Sequence, residues 1–311
     1  MSGAEVRQTQ ITRRRALQAG AGGLLGLLGA GAAAFELVDH GVLPGRVRLD
    51  ELLGRCSLPA PPLSFSAAGP SYSGTFFSRA RNRVVGYTIA YPPGHAHGSE
   101  LPLVVSLHPY GGNHNSGLGG ISLARALAAR QNGVALPPFA LVSVDGGGLY
   151  WNPHPGDDPV AMIVDELIPM ARRRGLGRGA GNVGVVGISM GGCGALLLGE
   201  WYPRLFCAVA AISPAIWTSY AQARAANAGA YASAADFARD DVVTHASALS
   251  GIAVRIASGD DDPFHAGVMA LAAAAPSNVQ VHISQGCHDN SFFGSQQHPS
   301  LAFLGAHLGR A

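Results

Sequence analysis

Lysine is absent from this 311-residue chain, and all 21 basic side chains are arginine. Chemistry that needs a lysine amine, such as a Schiff base or a Ser-Lys dyad, is therefore excluded. Charge of either sign is scarce: 13% of residues are charged, the formal net charge is +2, and no basic block follows the first residues. Nucleic acid is not the partner such a chain attracts. Cysteine is limited to Cys56, Cys193, Cys207 and Cys287, with no Cys-x-x-Cys or metal-type spacing. Their simplest role is as small buried apolar side chains. Outside the cytoplasm one disulfide becomes permissible, with no pair singled out.

Against those absences, 48% of the residues are hydrophobic. That is enough for one good-sized core, and the length alone allows one or two domains. Thr12-Arg13-Arg14-Arg15-Ala16-Leu17 opens an apolar run to Phe35, and Ala32-Ala33-Ala34 offers a small-residue cleavage site. Residues 1–34 are thus expected to be a signal of twin-arginine type. An uncleaved anchor is the alternative, since about 20 residues span a bilayer. Either way the folded part is expected outside the cytoplasm. Residues 35–70 carry Pro59, Pro61, Pro62 and Pro70, which predicts an extended linker or arm. Residues 71–311 are expected to form the catalytic domain.

Within that domain, apolar runs of strand length alternate with helical patterns. Strands are expected at 74–78, 84–91, 101–107, 139–144, 183–188, 205–212, 252–257 and 279–283. Helices are expected at 118–131, 159–173, after Ser189, 266–274 and 295–308. Alternation of this kind predicts a mostly parallel sheet covered on both faces. The Ala-rich, irregular segment 216–250 is the candidate for a small helical cap.

The run Val183 to Trp201 organises the rest. β-branched residues end in Gly187-Ile188-Ser189-Met190-Gly191, and an Ala- and Leu-rich helical pattern follows at once. With 43 glycines in the chain the five letters alone mean little. Strand before and helix after give them meaning: Gly187 and Gly191 let the two elements approach, so that Ser189 sits exposed on a tight turn. The Met190 amide then points where a carbonyl oxygen gains charge. A serine hydroxyl needs a base with a pKa near neutral, which histidine supplies unperturbed. Downstream loops hold Asp260-Asp261-Asp262 and then His288. Ser189, an acid and His288 follow the chain order of such hydrolases. Asp262 is the first choice for the acid and Asp261 the second.

Four separated motifs carry a resemblance: His108-Pro109-Tyr110-Gly111-Gly112-Asn113-His114, Gly187 to Gly192, Gly259-x-x-Asp262 with Phe264, and Gly286-x-His288-Asp289 with Phe292-Phe293. Over residues 71–308 the chain resembles the esterase D-like branch of α/β-hydrolases, which includes S-formylglutathione hydrolases, tributyrin and feruloyl esterases and secreted mycolyltransferases. The resemblance implies an α/β-hydrolase fold, with the backbone N–H groups of Met190 and Tyr110 as the oxyanion hole. Pro109 departs from the family's usual glycine and removes one N–H. Asn290 stands where many relatives have tryptophan.

Trp151 and Trp217 are candidates for substrate contact, the alternatives being loop structure for Trp151 and holding down the cap for Trp217. His95, His97, His108 and His114 lack the further ligands of a zinc site, and the three consecutive aspartates lack the oxygens and loop of a calcium site. No metal or cofactor is expected. The expected partner is a small-molecule or lipid ester, with membrane or cell-wall association if the N-terminal segment is retained. The function expected is an exported serine esterase. The alternatives are an acyltransferase moving the acyl group to a sugar hydroxyl, and a non-catalytic cell-wall module on a hydrolase scaffold.

Overall fold

The computed structural model describes residues 55–309 together with Leu49 and Leu53. The expected signal, residues 1–34, lies outside the described residues, as does most of the arm before residue 55. Among the described residues no helix is long and apolar enough to cross a membrane.

The unit from Gly54 to Ala311 contains, among its described residues, β1 (Leu63–Phe65), β2 (Ser71–Ser78), β3 (Arg83–Ala90), β4 (Leu103–Leu107), β5 (Ala129–Gln131) and β6 (Val134–Ala135). These are followed by β7 (Ala140–Val144), β8 (Val183–Ile188), β9 (Ala208–Ile212), β10 (Ala253–Gly259) and β11 (Val279–Ser284). Eight of these strands form one sheet in the order β2-β3-β7-β4-β8-β9-β10-β11. From β7 to β11 every ladder is parallel, whereas β3 pairs antiparallel with both β2 and β7.

Every residue of β4, β7, β8 and β9 is buried, which is why these strands read as near-continuous apolar runs. Their side chains alternate between two core layers. In β4, Leu103, Val105 and Leu107 face one layer and Val104 the other. The first layer is completed by Ile163 and Ile168, by Leu196 to Leu198, and by Val268 and Leu271. Leu123 and Leu127 with Leu301 and Leu304 complete the second. Each such side chain contributes about 1.5–3 kcal/mol relative to exposure, so the paired layers hold the sheet between its helices. This is the α/β-hydrolase fold.

In the described part of the arm, β1 pairs antiparallel with β5. Two helices differ from expectation. The helix expected over 118–131 shrinks to Leu123–Leu127, capped by the Ser122 hydroxyl. Gly117, Gly119 and Gly120 at positive φ hold the preceding residues in turns, and residues 129–131 pair with the arm instead of continuing the helix. The helix expected over 159–173 forms with a π-helical stretch, Met162–Leu167, at its centre. The cap segment between β9 and β10 holds two short helices, Tyr220–Ala226 and Ala234–Asp240, and one 3-10 turn, Ala246–Leu249.

Candidate active site

Because β4, β7, β8, β10 and β11 run parallel, the loops that follow them emerge at one rim of the sheet. Ser189 follows β8 directly and caps the buried helix Met190–Trp201. Its φ of 55° and ψ of −118° lie in a region that non-glycine residues avoid, held by N–H donation to the Ile212 carbonyl at 2.9 Å. The flanking glycines permit the turn. A Cβ on Gly187 would stand 1.9 Å from the Gly191 oxygen, and one on Gly191 2.2 Å from the Leu107 oxygen.

The Ser189 hydroxyl lies 2.8 Å from His288 Nε2, and His288 Nδ1 lies 2.9 Å from Asp262 Oδ2. A carboxylate only accepts, so Nδ1 carries the proton toward Asp262 and Nε2 faces the serine. The other Asp262 oxygen accepts the Phe264 N–H at 2.8 Å. Asp262 rather than Asp261 therefore meets the imidazole. The Asp261 amide instead donates to the Gly286 carbonyl at 3.1 Å, and Asp260 Oδ1 accepts the Gly286 N–H at 3.0 Å. The two loops are thereby laced together. The rings of Phe264 and Phe293 flank the imidazole, each with its centroid 5.1 Å away.

Met190 and Tyr110 are the residues whose backbone amides were expected to serve an oxyanion. The Met190 amide is the first of its helix, and Tyr110 shares the wall of one cavity with Ser189. Neither N–H donates to another group among the described residues. The loop bearing Tyr110 is tied by hydrogen bonds on both sides of Pro109. His108 is buried, its Nδ1 lies 2.8 Å from the Pro109 carbonyl and its Nε2 accepts the Gly146 N–H at 2.9 Å. Burial holds the His108 pKa below the usual value, so the ring is neutral with its proton on Nδ1. Asp145 anchors the far side, accepting from Gly86 N and from His114 N and Nδ1, each at 2.8 Å. Burial pushes the Asp145 pKa up, but these donors outweigh it and hold the carboxyl below its ordinary range.

The cavity is about 430 Å³ and is lined by Tyr110, Tyr150, Phe264 and Phe293 around Ser189 and His288, with Ala226 and Asn227 from the cap. Both tryptophans singled out in the sequence lie outside that lining. Trp151 is 1% exposed and wedged beneath the His108 loop, its indole N–H donating to the His108 carbonyl at 3.3 Å. Consecutive positive φ values at Tyr150 and Trp151 direct the phenol to the cavity and bury the indole. Trp217 stands behind the lining, its ring 4.7 Å from Phe264 and 6.3 Å from Tyr150.

Asn227, like its neighbour Ala226, is a lining residue the sequence did not single out. Its side chain donates to the Gly148 carbonyl at 3.1 Å and ties cap to loop. Its place in the expected cap segment was the one available signal. Among the described residues, no group of three His, Cys, Asp or Glu side chains is arranged to hold a metal ion.

The Esterase family model matches residues 78–303. No curated protein matches the chain significantly. Among solved structures, a ferulic acid esterase is similar at a TM-score of 0.64 and 20% identity, covering 79% of this chain and 100% of its own. An S-formylglutathione hydrolase from Agrobacterium tumefaciens follows at 0.63 and 16%, covering 81% and 100%. Fluorophosphonate-binding serine hydrolase F of Staphylococcus aureus is similar at 0.59 and 13%, covering 77% and 99%. The same fold recurs in each of these neighbours, and with most of its length inside the family match the chain belongs to the Esterase family.

Proposed function

We propose that this chain is an exported serine esterase that cleaves carboxylic esters through an acyl-enzyme on Ser189. One observation carries the proposal: an unbroken line of hydrogen bonds from the Ser189 hydroxyl through both nitrogens of His288 to Asp262, at 2.8 and 2.9 Å. In the acylation step His288 Nε2 takes the hydroxyl proton as Ser189 Oγ bonds to the ester carbonyl carbon. The carbonyl oxygen becomes an oxyanion, held by the Met190 and Tyr110 amides with the positive end of the Met190–Trp201 helix behind them. Collapse breaks the bond to the alcohol oxygen, which leaves with the proton from His288. Water then repeats the sequence on the acyl-enzyme, giving the carboxylic acid and free Ser189. Asp262 accepts from Nδ1 and stabilises the imidazolium.

The aromatic lining suits an ester with an apolar or flat substituent small enough for about 430 Å³. Export is supported by the twin-arginine pattern at Arg13-Arg14 and by the Cys56–Cys287 disulfide, since such bonds persist in oxidising compartments.

The test is a panel of p-nitrophenyl esters of rising acyl length with wild type and Ser189→Ala, alongside labelling by a fluorophosphonate. Turnover and labelling in the wild type, both abolished in a folded Ser189→Ala variant, are expected. Undiminished hydrolysis by Ser189→Ala would refute the nucleophile.

A further inference from the structure

The nucleophile and the base stand on unequal foundations. Ser189 leaves β8, a strand buried along its whole length in the middle of the sheet. His288 follows β11, the edge strand, which pairs with β10 alone and is largely exposed. Between β11 and the imidazole stands Gly286 at a φ of 150°, a residue with little intrinsic conformational preference. A loop on an exposed edge is drawn from the less stable part of a fold. A ring that must meet Ser189 Oγ and Asp262 Oδ2 at once needs ties from elsewhere.

Some ties come from the acid loop through Asp260 and Asp261. Others come from the helix that follows, Asn290–His307, capped by the Asp289 carboxylate and packed into the core through Phe292, and others again from the arm. Cys287, adjacent to His288, is buried and disulfide-bonded to Cys56, 231 residues earlier. Just beyond the two cysteines, Leu58 N donates to Ser291 Oγ at 2.8 Å, and Ser291 Oγ donates back to the Leu58 carbonyl at 3.3 Å. The arm is itself held by the pairing of β1 with β5. It thus braces the base independently of the acid loop, and the brace is covalent one residue from the imidazole.

We infer that the Cys56–Cys287 disulfide is a positioning device for His288, and that the enzyme reaches its full rate only with this bridge closed. The inference rests on the assignment of Ser189 and His288 above. Opening the bridge with a dithiol delivers two electrons and two protons, leaving the Cys56 and Cys287 thiols and an oxidised, cyclised reagent. The loop then keeps only its non-covalent ties, and the imidazole samples orientations that miss Ser189 or Asp262. Substrate binding by the aromatic lining is untouched, so the loss falls on kcat. The two remaining cysteines do not confuse the result. Burial pushes the Cys193 thiol up to about 12 and raises that of Cys207, so both stay protonated and sluggish.

The experiment compares exported wild type, oxidised and after non-denaturing dithiol treatment, with Cys56→Ala/Cys287→Ala and with Leu271→Ala, a truncation in the buried core. Thiol titration confirms opening, from the two free cysteines of the oxidised chain to all four. Opening is expected to lower kcat about 10- to 100-fold with KM within about twofold. It also slows fluorophosphonate labelling and erases the far-downfield proton resonance of the His288–Asp262 hydrogen bond. Reoxidation restores all three. Leu271→Ala, assayed where it remains folded, keeps the resonance and kcat despite lost stability. If the double variant does not fold, the reduced wild type carries the comparison. Unchanged kcat and resonance after confirmed opening overturn the inference while leaving the esterase assignment intact, as does an equal fall in Leu271→Ala. Oxidised wild type that neither hydrolyses esters nor takes the label sinks the esterase assignment itself, and this inference with it.

Discussion

His108 Nδ1 lies 2.8 Å from the carbonyl oxygen of Pro109, and that carbonyl shares its peptide group with the Tyr110 N–H. A donor on the oxygen fixes the plane of the amide and polarises it, so His108 both aims and strengthens the hydrogen bond Tyr110 offers to an oxyanion. The Gly112 N–H donates to the same oxygen at 2.9 Å, so the loop keeps one tie when the imidazole is removed. His108→Ala is expected to lower kcat about 10- to 100-fold with little change in KM, less than the loss of an oxyanion donor outright. Steady-state kinetics on a p-nitrophenyl ester checks this, and an effect confined to KM would show that His108 acts on substrate binding instead.

Asp262 and Asp261 are neighbours in the chain with opposite surroundings, one bonded to His288 and the other turned toward Gly286 through its amide. Asp262→Asn is expected to lower kcat by about 10⁴-fold, because an amide at that place no longer holds the Nδ1-protonated ring. Asp261→Asn is expected to keep kcat within about threefold. Reversal of the two in a kcat comparison would move the acid to Asp261.

Trp151 supports the oxyanion loop from below and does not line the cavity. Trp151→Phe loses the indole hydrogen bond and some packing against Gly146 and Gly194, where an added Cβ would stand 2.2 and 2.7 Å from the tryptophan side chain. A loss of about 1–3 kcal/mol of stability is expected, with KM for small esters unchanged. Chemical denaturation and a KM determination on the same sample check it. A raised KM at undiminished stability would return Trp151 to the substrate.

Glu200, on the nucleophile's helix, is buried with neither carboxylate oxygen hydrogen-bonded. Burial first, and the charge of Asp241 second, push its pKa from 4.5 up to about 9. Between those values the native state keeps a proton that the unfolded chain has released, so stability falls as pH rises through that window, by at most about 1.4 kcal/mol per unit. Glu200→Gln abolishes this contribution. The Tm advantage of the variant over wild type is expected to widen between about pH 5 and about pH 8, as read by calorimetry at both. A constant difference would mean that Glu200 is already ionised in the native state.

The elements carrying the chemistry were legible where the physics is local. The β-branched run before Ser189 and the Gly187 and Gly191 spacing specify strand, turn and helix from neighbours alone, and the loops bearing Asp262 and His288 follow recognisable apolar strands. The helix expected over 118–131 was not legible, because its second half pairs with β1, some 60 residues earlier in the chain. The sequence left Trp151 between substrate contact and loop structure, because the positive φ values of Tyr150 and Trp151, which set one ring at the cavity and the other in the core, leave no mark on composition.

Sequence alone determined the mostly parallel sheet, the serine turn and the order in which Ser189, the aspartate loop and His288 follow the strands, since alternation, glycine spacing and chain order are written in consecutive residues. Only the tertiary structure decided that Asp262 and not Asp261 faces His288, that Cys56 pairs with Cys287, and that Tyr150 and Asn227 reach the cavity where two tryptophans were expected. Each of those outcomes depends on the direction of a side chain after distant segments have packed, and direction is set by the neighbours that folding brings together.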